Sequence, residues 1–346
     1  MKTLGILQNT FNKGSEYIDE VAKICSVNDI TVYQFTPFSW NQKTDEVHGY
    51  YFNKTTETWE KKTFSLPTYI YDRCFYPTNK ELKKKCHTIV IRLKKRAKFI
   101  GEGFPNKWKV YQWLIENERL AHYIPTSAIL NKESFLSFLI KYRSIALKPI
   151  FGAGGQGFYK ISYEDGRTLI QSGDNSFSQM FHEQLQDVYE QLHTNHFIEP
   201  YLIQPFLPLT KNNVPFDLRV VMQKRSPNVW KMIGMGYRFG KKGTLISNLT
   251  SGGHVKKNVH IPKAQKSEFK RMFKTIKEEL PKQIEKHHPA VFEIGIDIGI
   301  EENGQMWILE VNSKPGYKTI LQLSEENKKH FICEGPYKAI EHDVNN

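Results

Sequence analysis

No stretch of this chain approaches the run of about 18 apolar residues that a bilayer span requires, and Met1 leads only into the short apolar segment Leu4 to Leu7. Neither a membrane span nor a signal-peptide core is expected. Cysteine is scarce: Cys25, Cys74, Cys86 and Cys333 are scattered, with no CxxC spacing and no clustered histidines. That argues against a zinc site or a disulfide framework and points to reduced thiols in a cytoplasmic protein. Internal repeats and low-complexity tracts are absent, which sets aside solenoids and disordered linkers. No RNA- or DNA-binding motif occurs, so a specific nucleic-acid partner is not expected.

What the chain does have is a globular balance. Its 346 residues, 39% hydrophobic and 25% charged, suffice for two or three packed units with substantial cores. The formal net charge of +13 attracts polyanions such as nucleic acid, an anionic peptide or envelope polymer, or nucleotide phosphates. Its densest part runs from Lys80 to Lys98, where Lys83, Lys84, Lys85, Arg92, Lys94, Lys95, Arg96 and Lys98 surround apolar Ile89, Val90, Ile91 and Leu93. Such a run reads either as the solvated face of a buried segment or as a patch for polyanions.

Strands are expected at Thr3 to Gln8, Ile30 to Phe35 and Thr68 to Asp72, which makes residues 1–102 a small N-terminal α/β domain. Gly101 to Pro105 marks a boundary, and a helix opens near Asn106 with Lys107, Val110, Tyr111 and Leu114 in one i, i+3, i+4, i+7 row. Beyond it the pattern predicts strands at Ile145 to Lys148 and Phe158 to Ser162, then a helix over Ser178 to Leu192. Strands follow at Tyr201 to Pro205, Asp217 to Gln223 and Lys231 to Phe239, then an amphipathic helix from Lys266 to Glu285. A hairpin of Phe292 to Ile300 with Met306 to Asn312 closes this mixed α/β (α+β) arrangement.

That hairpin carries the sharpest signal. Residues 293–300 alternate strictly, with four isoleucines on one face and Glu293, Gly295, Asp297 and Gly299 on the other. In residues 307–312 the same period sets Glu310 and Asn312 opposite Trp307, Leu309 and Val311. Asn303-Gly304 is the preferred pair for a two-residue turn, and with Glu302 facing Gln305 the count places Asp297 opposite Glu310. Two carboxylates at cross-strand distance repel unless a cation or proton lies between them. With the neutral oxygen of Asn312 they make a candidate Mg²⁺ site, open on the side of a phosphate-bearing substrate. The alternative is a solvent-exposed hairpin with unpaired acids.

A second signal is the loop Gly152, Gly154, Gly155 and Gly157 between two strands. It is rich enough in glycine for backbone amides to turn inward around phosphate oxygens. It lacks the GK[ST] of a P-loop, and a strand follows where a P-loop or dinucleotide fingerprint needs a helix. Lys148, ending an apolar strand, offers the phosphates a point charge, and Lys107 either adds another or simply reaches to solvent from its helix. A turn near Asn228 brings Arg219 and Arg238 to neighbouring positions, as a clamp for a phosphoryl or carboxylate group or as surface ion pairs. Asn248 and Thr250 to Gly253 follow.

Taken in order, these features resemble the ATP-grasp superfamily over residues 104–318. They resemble more closely the YheC/YheD group of Bacillus endospore-coat-associated ATP-grasp proteins. Tyr69-Ile-Tyr-Asp72-Arg73, Asn106-Lys107, Leu147-Lys-Pro149 and Glu310-Val-Asn-Ser-Lys-Pro-Gly316 carry the closer likeness. The resemblance implies an ATP-grasp fold in which two lobes clamp ATP, with the domain over 103–340 divided into a central lobe (103–204) and a C-terminal lobe (205–340). By position, Lys107 and Lys148 match phosphate ligands and Gln204-Pro205-Phe206-Leu207 the adenine-binding hinge. Asp297, Glu310 and Asn312 match the magnesium ligands, with manganese as an alternative ion. Arg219 and Arg238, with Asn248 near them, match residues that face an acyl-phosphate.

Pro205 departs from the acidic residue frequent at such hinges, and no ribose-binding acid is evident. A proline keeps its carbonyl for the adenine amino group but offers no N–H. The implied reaction is ATP-dependent activation of a small-molecule or peptide carboxylate, then displacement by an amine or thiol, with an association with the spore coat during sporulation. The rival readings are a non-catalytic ATP-binding coat scaffold and a kinase that stops at phosphoryl transfer.

Overall fold

The computed structural model describes residues 2–11, 15–75, 79–152, 154–195, 200–247 and 252–342. Seven strands, β1 (Thr3–Leu7), β2 (Thr31–Phe35), β3 (Trp40–Asn41), β4 (Glu46–Asn53), β5 (Thr58–Ser65), β6 (Tyr69–Asp72) and β7 (Lys98–Ile100), form the first sheet. Their order is β3-β4-β2-β1-β6-β7, with β5 on β4. The parallel strands β1, β2 and β6 are short apolar runs because helices cover them. Helix α1 (Glu16–Val27) buries Tyr17, Ile18, Val21, Ala22 and Cys25. Helix α2 (Lys80–Lys94) is the basic run, and it buries only Cys86, Val90 and Leu93. The β4–β5 hairpin was not expected, since most of β5 is exposed and polar; its inward residues Val47, Phe52 and Phe64 are what hold it to the core.

The second sheet is antiparallel: β8 (Ala128–Ile129), β9 (Ser144–Pro149), β10 (Tyr159–Glu164), β11 (Arg167–Ser172), β12 (Ser178–Phe181) and β13 (Tyr201–Pro205), in the order β12-β11-β10-β9-β13-β8. Helices α3 (Lys107–Ile115) and α4 (Glu118–Ala121) pack on the helix over Lys266–His287 and join the core of the third sheet, whereas α5 (Lys132–Tyr142) and α6 (Leu185–Asn195) cover the second. The helix expected from Ser178 therefore begins only at Leu185. Ser178 to Phe181 extend instead as an edge strand on β11, after a turn in which Asp174 accepts from Ser172 and Ser176. Pairing to an existing sheet edge overrides weak local helical character.

The third sheet holds β14 (Thr210–Lys211), β15 (Val214–Ser226), β16 (Val229–Phe239), β17 (His254–Lys256), β18 (Glu293–Ile300) and β19 (Met306–Asn312). β15 is buried along nearly its whole length between β16 and β18. Ile294, Ile296, Ile298 and Ile300 face one core, as their alternation requires, and α7 (Lys266–His287) seals it with Met272, Ile276, Leu280 and Ile284. Three short helices, α8 (Lys318–Gln322), α9 (Glu326–Cys333) and α10 (Gly335–His342), pack against α1 or the third sheet and so join it to the first domain. No helix among the described residues is long and apolar enough to cross a membrane.

Where first domain and third sheet meet, Glu293 is 2% exposed. It lies on the face shared with Gly295 and Asp297, as its alternation suggested, at the end of that face which the first domain covers. Arg73 pairs with its carboxylate, Tyr71 and Tyr317 donate to it at 2.8 and 2.5 Å, and Gln223 donates at 3.4 Å. Tyr17 stacks on Tyr317 with ring centroids 3.5 Å apart. Burial, then the Glu293 charge, pushes the phenols of Tyr17, Tyr71 and Tyr317 upward, so they stay donors. A buried carboxylate stripped of its cation is costly. Arg73→Met is therefore expected to lower stability by about 3 kcal/mol, with Arg73→Met/Glu293→Gln recovering part of the loss, measured by the urea midpoint of unfolding.

Candidate functional site

Asp297 and Glu310 do face each other across β18 and β19, but by a different route from a two-residue turn. Glu301 pairs with Gln305, and Gly304 donates to the Glu301 carbonyl with φ +91°, so the loop has three residues, Glu302 to Gly304. That shifts the ladder by one. A bulge between Asp297 and Ile298, where Leu309 is the extra residue, shifts it back. The bulge also moves the core face of β19: Met306, Ile308 and Val311 are buried, not Trp307 and Leu309.

Around these acids the third sheet places paired charges. Asp217 lies opposite Arg238 on β15 and β16, and Arg219 lies opposite Asp297 on β15 and β18. Arg219 donates to both Asp297 oxygens at 2.5 and 3.0 Å. Arg238 holds Asp217 through two nitrogens, one at 2.8 Å, and reaches Asp297 at 3.0 Å. Burial opposes the charge on Asp297, but Arg219 and Arg238 outweigh it and hold the carboxyl down at about 2. Against burial, Asp297 and Asp217 in turn raise the Arg238 guanidinium. Both arginines are thus fixed cations oriented by buried acids.

The lysines arrive from the second sheet and α3. The Lys107 ammonium donates to the carbonyls of Gly152 at 3.1 Å and Pro149 at 3.4 Å and lies 4.0 Å from Glu310. Lys148 stands on β9, and burial, reinforced by Lys107 and countered by Glu310 and Asp297, pushes its ammonium down to about 8. Asn106 caps α3 by accepting from Lys109, which fixes Lys107 at the start of the helix.

Gly152, Gly154, Gly155 and Gly157 all have φ between +69° and +108°, conformations that only glycine adopts without strain. A Cβ on Gly155 would strike Ile246, and one on Gly157 would strike Pro149. In the hinge, Gln204 is buried and donates to Ser127 at 2.7 Å, and Pro205 ends β13. Phe206 donates to Ser144 at 2.9 Å beneath the Lys160 ammonium, which is 4.5 Å from its ring, and Leu207 is half-buried. Asn248, Thr250 and Ser251 lie outside the described residues.

A divalent ion suits this donor set. The Oδ1 atom of Asn312 is buried with no hydrogen-bond partner among the described residues. Gly295 keeps a Cβ from standing 2.8 Å from it, and the Glu310 side chain is 31% exposed. Among the described residues no three His, Cys, Asp or Glu side chains are grouped so as to hold a metal ion by themselves. The set is therefore one for an ion that completes its shell with water and phosphate rather than an all-protein cage.

Lys160, Arg73 and Lys314 escaped the sequence reading as working residues. Lys314 donates to Asp72 and to the Cys74 carbonyl, both at 2.7 Å, and Arg73 donates to the Pro315 carbonyl at 2.7 Å. The loop after Asn312 is thereby tied to the end of β6. Only the lone lysine in the apolar strand Phe158 to Ser162 carried a local hint of this kind, at Lys160.

The model of the YheC/D-like ATP-grasp family matches residues 96–339. The endospore coat-associated protein YheC of Bacillus subtilis (strain 168) is 32% identical over 96% of this chain and 94% of its own. Among solved structures, D-alanyl-alanine synthetase A from Vibrio cholerae O1 biovar eltor str. N16961 superposes with a TM-score of 0.58 at 13% identity, covering 98% of this chain and 99% of that one. A RiPP-associated ATP-grasp ligase of Chryseobacterium gregarium, solved with ADP and a leader and core peptide, gives 0.53 at 15% identity over 96% of both chains.

The buried ammonium of Lys148 has a measurable signature. Its folded value of about 8 lies below the ordinary 10.5, so between these values the unfolded chain binds more protons and stability rises with pH. The expected result is that the ligand-free protein gains stability from pH 8 to 10 relative to Lys148→Met, read from urea unfolding of both at each pH. Parallel curves for the two proteins would show that Lys148 is not the depressed group.

Proposed function

The chain belongs to the YheC/D-like ATP-grasp family, and from that membership we propose that it is a Mg-ATP-dependent ligase that joins a carboxylate to an amine or thiol. The observation that carries this reading is convergence. Lys107 from α3, Lys148 from the second sheet and Arg219, Arg238, Asp297, Glu310 and Asn312 from the third meet at one place, with a glycine-rich hairpin beside them. Four cations against three carboxylates, Asp217 included, leave the place short of negative charge, which suits a triphosphate.

In this reading Lys107, Lys148 and the amides of the glycine hairpin hold the phosphates, and the strand end Gln204 to Leu207 receives the adenine. Asp297, Glu310 and Asn312 would hold magnesium, with manganese as a substitute, and the ion supplies charge that offsets the negative charge gathering on the departing ADP. Arg219 and Arg238 are held rigidly by Asp297 and Asp217, so they stabilise the transferring phosphoryl group without reorganising. A substrate carboxylate oxygen bonds to the γ-phosphorus as the bond to ADP breaks; the acyl-phosphate then loses phosphate to an incoming amine or thiol. The chain needs no side-chain nucleophile for this. Asn248, next in sequence after the glycine-facing Ile246 and Ser247, is assigned to the same acyl group.

Peptides are the substrate class we favour, because a solved ligase of the same fold holds a leader and core peptide. The likeness to YheC supports an association with the spore coat.

Calorimetry with Mg-ATP is expected to show binding that requires magnesium and that weakens at least tenfold, about 1.4 kcal/mol, in Glu310→Ala and in Lys148→Ala, with both variants folded. Release of ADP on adding peptides that carry free carboxylates and amines would establish ligation. Magnesium-dependent binding without ADP release across such a panel would favour the ATP-binding scaffold, and unchanged affinity in Glu310→Ala would remove the metal assignment.

A further inference from the structure

Residues 80–98 hold nine lysines and arginines and one acid, so this segment alone carries +8 of the net +13. Folded as α2 and the turn after it, the segment spends only Cys86, Val90 and Leu93 on the core. Some of its cations have partners: Lys94 pairs with Glu102, Arg96 with Asp45, and Arg92 donates to Gln42. Lys80, Lys84, Lys85 and Lys95 are exposed and have no acidic partner among the described residues. Lys80, Lys84, Ile91 and Lys95 fall at helical spacing along one solvent-facing stripe, with Lys85 and Arg92 beside it.

Each end of the stripe meets a feature that can hold a chain. At the C-terminal end a cavity of about 620 Å³ opens between Lys94, Lys95, Arg96 and Lys98 and the polar residues Thr44, Ser65 and Thr68. At the N-terminal end the Lys83 ammonium sits 4.5 Å from the ring of Phe151, in the glycine-rich loop of the candidate site. The 15 residues of α2 span about 22 Å, the length of about seven residues of extended polypeptide.

We propose that this stripe is a docking surface for an acidic polypeptide segment, seated with one end at the Lys94–Lys98 cavity and the other at the mouth of the cleft. Charge complementarity sets the sign of the partner. Its class follows from what the stripe lacks and has: residues 80–98 contain no Phe, Tyr or Trp for bases to stack on, and Ile91, 44% exposed, offers a peptide an apolar contact among the ammoniums. The docking stands apart from the chemistry of the cleft. That the docked segment continues into a substrate rests on the ligase reading, and it places the reacting residue about seven positions from the acidic anchor.

The test is fluorescence anisotropy of the full chain with a labelled peptide of eight glutamates, against its glutamine counterpart. The probe is titrated with wild type, with Lys80→Glu/Lys84→Glu/Lys85→Glu, and with a control reversal on α7, Lys270→Glu/Lys274→Glu/Lys277→Glu, which changes the net charge equally. Acidic side chains in the first turns of α2 are favoured by the helix dipole, so the first variant is expected to fold, with circular dichroism as the check. We expect wild type to bind the glutamate peptide and not the glutamine one, with affinity falling as salt rises. We expect the α2 variant to lose at least tenfold and the α7 variant to change little. Mg-ATP affinity, measured in parallel, should be the same in all three proteins. Equal losses in the two variants would reduce the effect to net charge and overturn the proposal, as would tighter binding of a single-stranded oligonucleotide of equal charge. Peptide binding by a wild type that does not bind Mg-ATP would keep the docking surface and overturn the ligase reading instead.

Discussion

Two carboxylates set side by side on neighbouring strands are a constraint that the rest of the cleft answers. Asp297 and Glu310 occupy one cross-strand pair, where like charges repel. The chain meets this with fixed cations on one side and an opening on the other. Arg219 and Arg238 neutralise Asp297, whereas Glu310 lies 4.0 Å from the Lys107 ammonium, feels that of Lys148, and keeps part of its surface to solvent. The asymmetry divides the labour between the acids: one orients arginines, and the other is left with coordination capacity. Asn312, its amide oxygen without a partner among the described residues, lies on the same side as Glu310.

That division could be read from the sequence only in part. The strict alternation of Glu293 to Ile300 and the Asn-Gly pair made the hairpin legible, because both are local patterns. The expected turn is not formed, however, and the central pair is met only because the longer loop and the bulge offset each other. The partner of Asp297 is not local: Arg219 is 78 residues away and Arg238 lies on yet another strand. Glu293 keeps the face its alternation gave it, but its partner was no more legible, since the pairing with Arg73 spans 220 positions and involves another domain. The polar β4–β5 hairpin and the edge strand β12 were missed because partial exposure blurs the period on which strand reading depends.

The junction at Glu293 gives the first domain a stake in the cleft. Two segments quoted for their family likeness, Tyr69 to Arg73 and Glu310 to Gly316, touch in space: Lys314 reaches Asp72, and Arg73 reaches both Glu293 and the Pro315 carbonyl. The segment that follows the candidate metal residues is thus held from outside its own sheet. Movement of the first domain would act on Glu310 and Asn312 through a short, buried path of charged contacts, in which every polar partner has a cost if separated.

The paired one-residue offsets in the last hairpin bear on how this site can vary in length. A two-residue turn with a regular ladder would also set Asp297 against Glu310, but it would bury Trp307 and Leu309 in place of Met306 and Ile308. The longer loop and the bulge together reproduce the pairing that a shorter turn would give. Loss of Leu309 alone would straighten the ladder with Glu301 still facing Gln305, and so leave Glu310 opposite Asp297. Homologues of this chain can therefore lose the bulge residue without losing the carboxylate pair or the burial of Met306, Ile308 and Val311.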